Sequence, residues 1–154
     1  ILHSRTDDMI FEDGSRGDRV HFVKTGTLRY VTSEYVSNSN NGHDASASRL
    51  LQENSHSRSL VLHSGRWCSE AALWCEWVHA GTLYASTPAD IVQISAEALT
   101  SSLRRHADIL MFTCEFAFSV ARLVDAAVTW SDLDLAVEHA DVMGGTPRET
   151  RVAV

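Results

Sequence analysis

Residues 65–74 read "GRWCSEAALW" and place one carboxylate, Glu70, among two tryptophans and a cysteine, just after a turn glycine. An acid in apolar surroundings with no cation beside it needs a hydrogen-bond donor. A ligand hydroxyl would supply one; the local backbone or water would do so without a ligand. Cys68, Cys75 and His79 are metal-ligating types close in sequence. No second pair completes a tetrahedral set, so the thiols are expected to be free and buried. His21 has no second histidine two residues on, as a His-x-His metal pair of a small-barrel enzyme would require. No Ser-His-Asp set or paired carboxylates are legible either, and the chain is not expected to be an enzyme.

Composition narrows the classes. The 154 residues are 44% hydrophobic and 21% charged, enough for one globular domain with a core. The net charge of −7 argues against a nucleic-acid surface, which needs clustered Lys and Arg. The longest apolar stretch, Ile109 to Val124, is broken by Thr113, Glu115, Ser119 and Arg122, so no bilayer span is expected. Three cysteines without framework spacing fit a reducing, cytoplasmic setting. The chain opens at Ile1 without a signal-peptide pattern and is expected to be a piece of a longer protein.

The elements that must position these residues change character along the chain. Met9–Phe11 and the turn "EDGSRGD" lead into "RVHFVKTGTLRYVTSEYV", where Val20, Phe22, Leu28, Tyr30 and Val36 suit half-buried strands. Gly26 is expected to mark a hairpin or bulge between them. Residues 37–58 turn polar, as a long loop or hairpin tip. Leu60–Leu62 resumes a strand, and residues 81–86 and 90–95 form two more around Pro88. From Ser95 the period becomes helical. Ala96, Leu99 and Leu103 form one face, with Ser95 as N-cap. Ile109, Phe112, Phe116, Val120, Leu123 and Ala127 form a second, with Asp108 as its cap. A third, short helix is predicted from Asp132, with Ser131 as cap and Asp134 at capping-box spacing, ending in "MGGTPRET". Strands followed by segregated helices imply an α+β domain.

The order of motifs then carries a resemblance. Gly14 to Asp18 reads G-x-x-G-D, Phe22-Val23 and Gly26 follow, and then come Gly65, Glu70, Ala72-Leu73, Ala80 and Thr82. Over roughly residues 5–127 this resembles the cyclic nucleotide-binding domain family. The resemblance implies a jelly-roll-like β-roll of about eight strands over 5–107, C-terminal helices over 108–142 and a tail over 143–154. It also implies a phosphate-binding cassette over 65–83, whose pattern is approximately F-G-E-x-A-L, a gap, then R-A/T-A. Here Cys68-Ser69-Glu70-Ala71-Ala72-Leu73 and His79-Ala80-Gly81-Thr82-Leu83 stand in its place. Glu70 would accept from a ribose 2′-hydroxyl. The backbone of Ser69, Ala71 and Ala72 would face the cyclic phosphate of cAMP or cGMP, with His79, Ala80 and Gly81 completing the site. No cofactor or metal is implied.

Two departures bear on affinity. His79 replaces the family's arginine, a permanently charged planar fork, with a ring of at most two donors. Cys68-Ser69 replaces Phe-Gly. Arg66 or His63 would be the nearest substitute cations, though neither stands at the motif position. Trp67, Trp74 and Trp77 bracket the cassette and would either pack in the core or stack a purine. The expected function is a regulatory domain with weakened or lost nucleotide binding, within a larger signalling protein or ion channel. The sequence after residue 103 looks similar to the tail of a channel-like member. Two other readings remain: a working cAMP or cGMP sensor, or a protein-interaction domain without a ligand. Expected partners are other domains or a second copy through the C-terminal helices, with Phe112 on the barrel and the face from Val120 onward reaching a neighbour.

Overall fold

A computed structural model describes residues 1–33, 57–126 and 131–133. Among them run ten strands: β1 (Leu2–Ser4), β2 (Met9–Phe11), β3 (Arg16–Gly17), β4 (Arg19–Thr25), β5 (Thr27–Ser33), β6 (Ser57–His63), β7 (Trp67–Cys68), β8 (Trp77–Val78), β9 (Thr82–Ala85) and β10 (Ala89–Ser95). A 3₁₀ turn, Glu70–Leu73, lies between β7 and β8, and helices α1 (Ala96–Leu103) and α2 (Ala107–Ala126) follow the last strand. Two antiparallel sheets, ordered β1-β10-β4-β7 and β2-β9-β5-β6, enclose the core, and β3 pairs with β8. Val23, Leu28, Tyr30, Leu83, Ala85 and Ile91 are buried between them. This is the α+β β-roll with C-terminal helices that the sequence implied, though β1 pairs with β10 and so starts the roll at Leu2, ahead of residue 5.

Several local expectations change. Gly26 is not a hairpin turn, because β4 and β5 belong to different sheets. It is a corner where the chain crosses between them, at φ 84°. A Cβ there would lie 2.5 Å from the Pro88 carbonyl, in the second crossing, from β9 to β10. On β4 the inward face is His21 and Val23 rather than Phe22, which is 38% exposed. Both faces of β4 carry apolar residues, so alternation alone could not choose, and fully buried Val23 fixes the phase. β6 starts at Ser57, three residues ahead of Leu60, and pairs with β5 from Thr27↔His63 to Ser33↔Ser57. Val36 and nearly all of the polar stretch 37–58 lie outside the described residues.

The helices follow their caps. Ser95 Oγ accepts from the Ala98 amide at 3.1 Å, as an N-cap does. α2 begins at Ala107, so Asp108 sits in its first turn, where a carboxylate favours the helix dipole, and is not the cap. Val120 is fully buried among Trp74, Phe116, Leu123 and Val124. Val120, at the start of the face expected to reach a neighbour or another domain, packs on Trp74 at the end of the 3₁₀ turn. Cys114 is exposed on α2, against the expectation of buried thiols, while Cys68 is buried and Cys75 partly so.

Candidate functional site

The cassette residues converge on a group the sequence reading passed over. Cys68 and Ser69 leave β7 in a tight turn, and Ser69 takes up the left-handed conformation at φ 61°, ψ 34°. Glycine reaches that region without cost, whereas an L side chain pays roughly 1 kcal/mol. The turn therefore survives the loss of the motif glycine, with a hydroxyl added. That hydroxyl donates to the carboxylate of Asp132 at 3.1 Å.

Asp132 Oδ1 also accepts from the indole of Trp77 at 2.7 Å and from His79 Nδ1 at 2.7 Å. Oδ2 accepts from the Tyr30 hydroxyl at 2.9 Å and from the Ala80 amide at 2.8 Å. The main-chain carbonyl of Asp132 takes the Ser69 amide at 2.5 Å. An ionised carboxylate only accepts, so His79 carries its proton on Nδ1. The His79 ring stacks on Phe11 at 3.7 Å. Glycine at 17 makes room for it, since a Cβ there would lie 3.1 Å from its Nε2. The Asp132 side chain is wholly buried and that of His79 is 3% exposed. Burial opposes charge on Asp132 most strongly, but the hydrogen bonds from His79 and Trp77, the charge of His79 and the Ala80 amide outweigh it. They hold the carboxyl below its ordinary range.

The expected site residues thus divide. Ser69, His79 and Ala80 meet at one anion. The side chains of Ala71 and Ala72 are buried in one cluster with Trp77, and the Ala72 amide donates to Ser69 O rather than to the anion. Gly81 is buried and lets Tyr30 approach, since a Cβ there would lie 2.6 Å from the ring. Glu70 accepts from the indole of half-exposed Trp67 at 3.1 Å, which supplies the donor its setting required. Arg66 is exposed and bonds the turn through its backbone, and His63 is exposed too, so His79 meets the anion without either of them. Tyr30 and Asp132, 102 residues apart, were not anticipated as a pair. The predicted helix from Asp132 is replaced at its start by a bend, although Ser131 Oγ does accept from the Leu133 amide at 3.1 Å. Asp134 and the remainder of that helix lie outside the described residues.

Ser69, His79 and Asp132 also bring together the three residue types of a hydrolytic triad, which the sequence did not show. Their geometry is different. Ser69 Oγ lies 3.5 Å from the same Nδ1 that bonds Asp132, and it donates to that carboxylate. A triad needs the serine on one ring nitrogen and the acid on the other. The cluster holds an anion and does not activate a nucleophile. Cys68, beside it, is also unsuited to attack, because burial pushes its thiol up to about 12.

Acid should loosen this region in two stages. Burial first, then the charges of His79 and Arg19, press His21 down to about 4, with Asp132 and Asp18 opposing. Its Nδ1 is buried without a hydrogen-bond partner among the described residues. Below the ordinary value of about 6.5 the unfolded chain binds a proton that the fold refuses, so stability falls from pH 6.5 to about 4. Asp132, lowered from 3.8, contributes above that value and loses its contribution as pH falls through its folded value. The melting temperature should decline across both windows. His21→Leu should flatten the first and leave the second, and an unchanged first limb would show that His21 is not its origin.

No protein-family model matches the chain, and no curated protein does. Solved structures do. The N-terminal domain of a transcriptional regulator from Streptomyces coelicolor A3(2) aligns at TM-score 0.57 and 16% identity, over 86% of this chain and 82% of that one. A cyclic nucleotide-binding-like protein from Brucella abortus aligns at TM-score 0.50 and 15% identity, over 67% and 73%. A putative cAMP-binding regulatory protein from Silicibacter pomeroyi aligns at TM-score 0.53 and 12% identity, over 84% and 53%. At these identities the likeness is one of fold: this chain folds as the β-roll of cyclic nucleotide-binding-like proteins.

Proposed function

We propose that the chain is a cytoplasmic regulatory module of the cyclic nucleotide-binding type, within a larger signalling protein or channel, whose affinity for cAMP and cGMP is weak or lost. The observation that carries this reading is the convergence of Ser69, His79 and the Ala80 amide on one anion in the segment that resembles a phosphate cassette. Weakness follows from His79. Losing one partner of a desolvated charge pair costs about 2–5 kcal/mol, roughly 30- to several-thousand-fold in affinity. A ribose hydroxyl would also compete with Trp67 for Glu70. Calorimetry at neutral pH with cAMP and with cGMP should give dissociation constants weaker than about 10 μM, and His79→Arg should tighten binding at least about tenfold. Submicromolar binding by the unaltered chain would overturn the weakness. No binding even with arginine at 79 and alanine at 132 would count against the nucleotide reading.

A contact role for the helices has its own support. Ile109, Met111 and Phe118 on α2 are 52%, 61% and 67% exposed, while the Val120 side is docked. No helix among the described residues is long and apolar enough to cross a membrane.

A further inference from the structure

We propose that Asp132 is a tethered ligand: its carboxylate fills the anion cradle of the cassette, and a diffusible phosphodiester monoanion must displace it to bind. The inference rests on reading residues 65–83 as that cassette, and the experiment below separates the two.

The cradle is made of donors and needs an anion. Tyr30 comes from β5, Ser69 from the turn after β7, Trp77 from β8, and His79 and Ala80 from the link to β9. Their five donors point at two oxygens. A salt-bridge partner for His79 alone would not require a backbone amide, a phenol, an indole and a serine as well. With no anion between them, these buried groups would go unpaired, each at a cost of roughly 1–3 kcal/mol. A carboxylate and a cyclic phosphodiester each present one negative charge over two outward oxygens, so either satisfies the same donors.

Asp132 is also a small plug. Besides its carboxylate, it is held by its carbonyl on the Ser69 amide, and Leu133 packs against the main core. Held on the same chain, it competes at an effective concentration on the order of millimolar. If the cradle is open one part in a hundred, apparent affinity falls about a hundredfold. Trp77 donates to Asp132 through its indole and belongs to the buried cluster with Ala71 and Ala72 against which Val124 of α2 packs, so displacing Asp132 would be felt at that seam.

Asp132→Ala tests this in the full chain. Its thermal melting should be lowered and then restored by formate or inorganic phosphate at about 0.1 M, well beyond chloride at equal ionic strength. The unaltered chain should show no such selectivity. By calorimetry the variant should bind cAMP at least about tenfold more tightly than the unaltered chain. Selective rescue by the small anions without cAMP binding would keep the tethered ligand and reject the nucleotide reading. Measurable and equal cAMP affinity in both chains, or melting restored no better than by chloride, would overturn the tethered ligand. Should Asp132→Ala fail to fold without added anion, Asp132→Ser, which also shortens the side chain out of the cradle, takes its place in the same measurements. Failure of both to fold in formate would overturn the proposal as well.

Discussion

Trp77→Ala is expected to lower the unfolding free energy by about 3–5 kcal/mol, the range for removing a buried large aromatic. Trp77 is 5% exposed. It shares a buried cluster with Ala71 and Ala72 of the 3₁₀ turn, and Val124 of α2 packs against that cluster. Its indole also donates to Asp132 Oδ1 at 2.7 Å. The two contributions can be separated. Trp77→Phe keeps much of the ring and drops the donor, and a hydrogen bond to a charged acceptor contributes about 1.5–3 kcal/mol. Urea denaturation of both variants, with unchanged dependence on denaturant, gives the two losses. A large loss in alanine and a small one in phenylalanine would mark packing as the main contribution. Nearly equal losses would assign most of the cost to the hydrogen bond. A loss under about 1 kcal/mol for Trp77→Ala would mean that the ring does not fasten α2 to the roll.

How much of this was legible in the sequence depended on how local the cause was. The α+β order could be read because its signals are short-range, in glycine turns, β-branched runs and a change to helical period at Ser95, and the β-roll came from the resemblance those motifs carry in sequence order. Ser95 caps as its type demands, since the bond it makes spans only three residues. The resemblance proposed a cassette over 65–83, and Ser69, His79 and Ala80 within it meet at one carboxylate. What filled it could not be read. Asp132 and Asp134 both follow a helix in "SDLDL", and no periodicity distinguishes a solvated capping acid from a buried one. Only the folded roll brings Tyr30 across 102 residues to the Asp132 carboxylate. The phase of β4 was lost for a related reason. Val20, Phe22 and Val23 make both faces apolar, and burial of His21 is a tertiary outcome. Glu70 looked like the site's acid because its neighbours are apolar, yet the Trp67 indole three residues away donates to it.

Gly81→Ala should be nearly as damaging as loss of Trp77, although it adds a single methyl. Overpacking typically costs 1–3 kcal/mol, and the upper end or beyond is expected here because neither neighbour can give way. A Cβ at 81 would lie 2.6 Å from the Val31 carbonyl, a backbone atom in the strand that pairs with β9. It would lie 2.6 Å from Tyr30 Cζ and 2.7 Å from its hydroxyl, on a ring that is 1% exposed. The ring cannot swing aside without leaving the core, and moving it takes the hydroxyl from Asp132 Oδ2. The neighbouring Ala80 amide holds the same oxygen, so the substitution strains both donors to it. Making Gly81→Ala in a Tyr30→Phe background locates the clash. If the hydroxyl is the obstacle, the second change should offset part of the first, with a coupling of about 0.5–3 kcal/mol. If the Val31 carbonyl is the obstacle, the two losses should add. Denaturation of the two single variants and the double variant decides between these outcomes. A Gly81→Ala chain as stable as the unaltered one would show that β9 has room to move away from β5, and that the close approach of Tyr30 is not what positions Asp132.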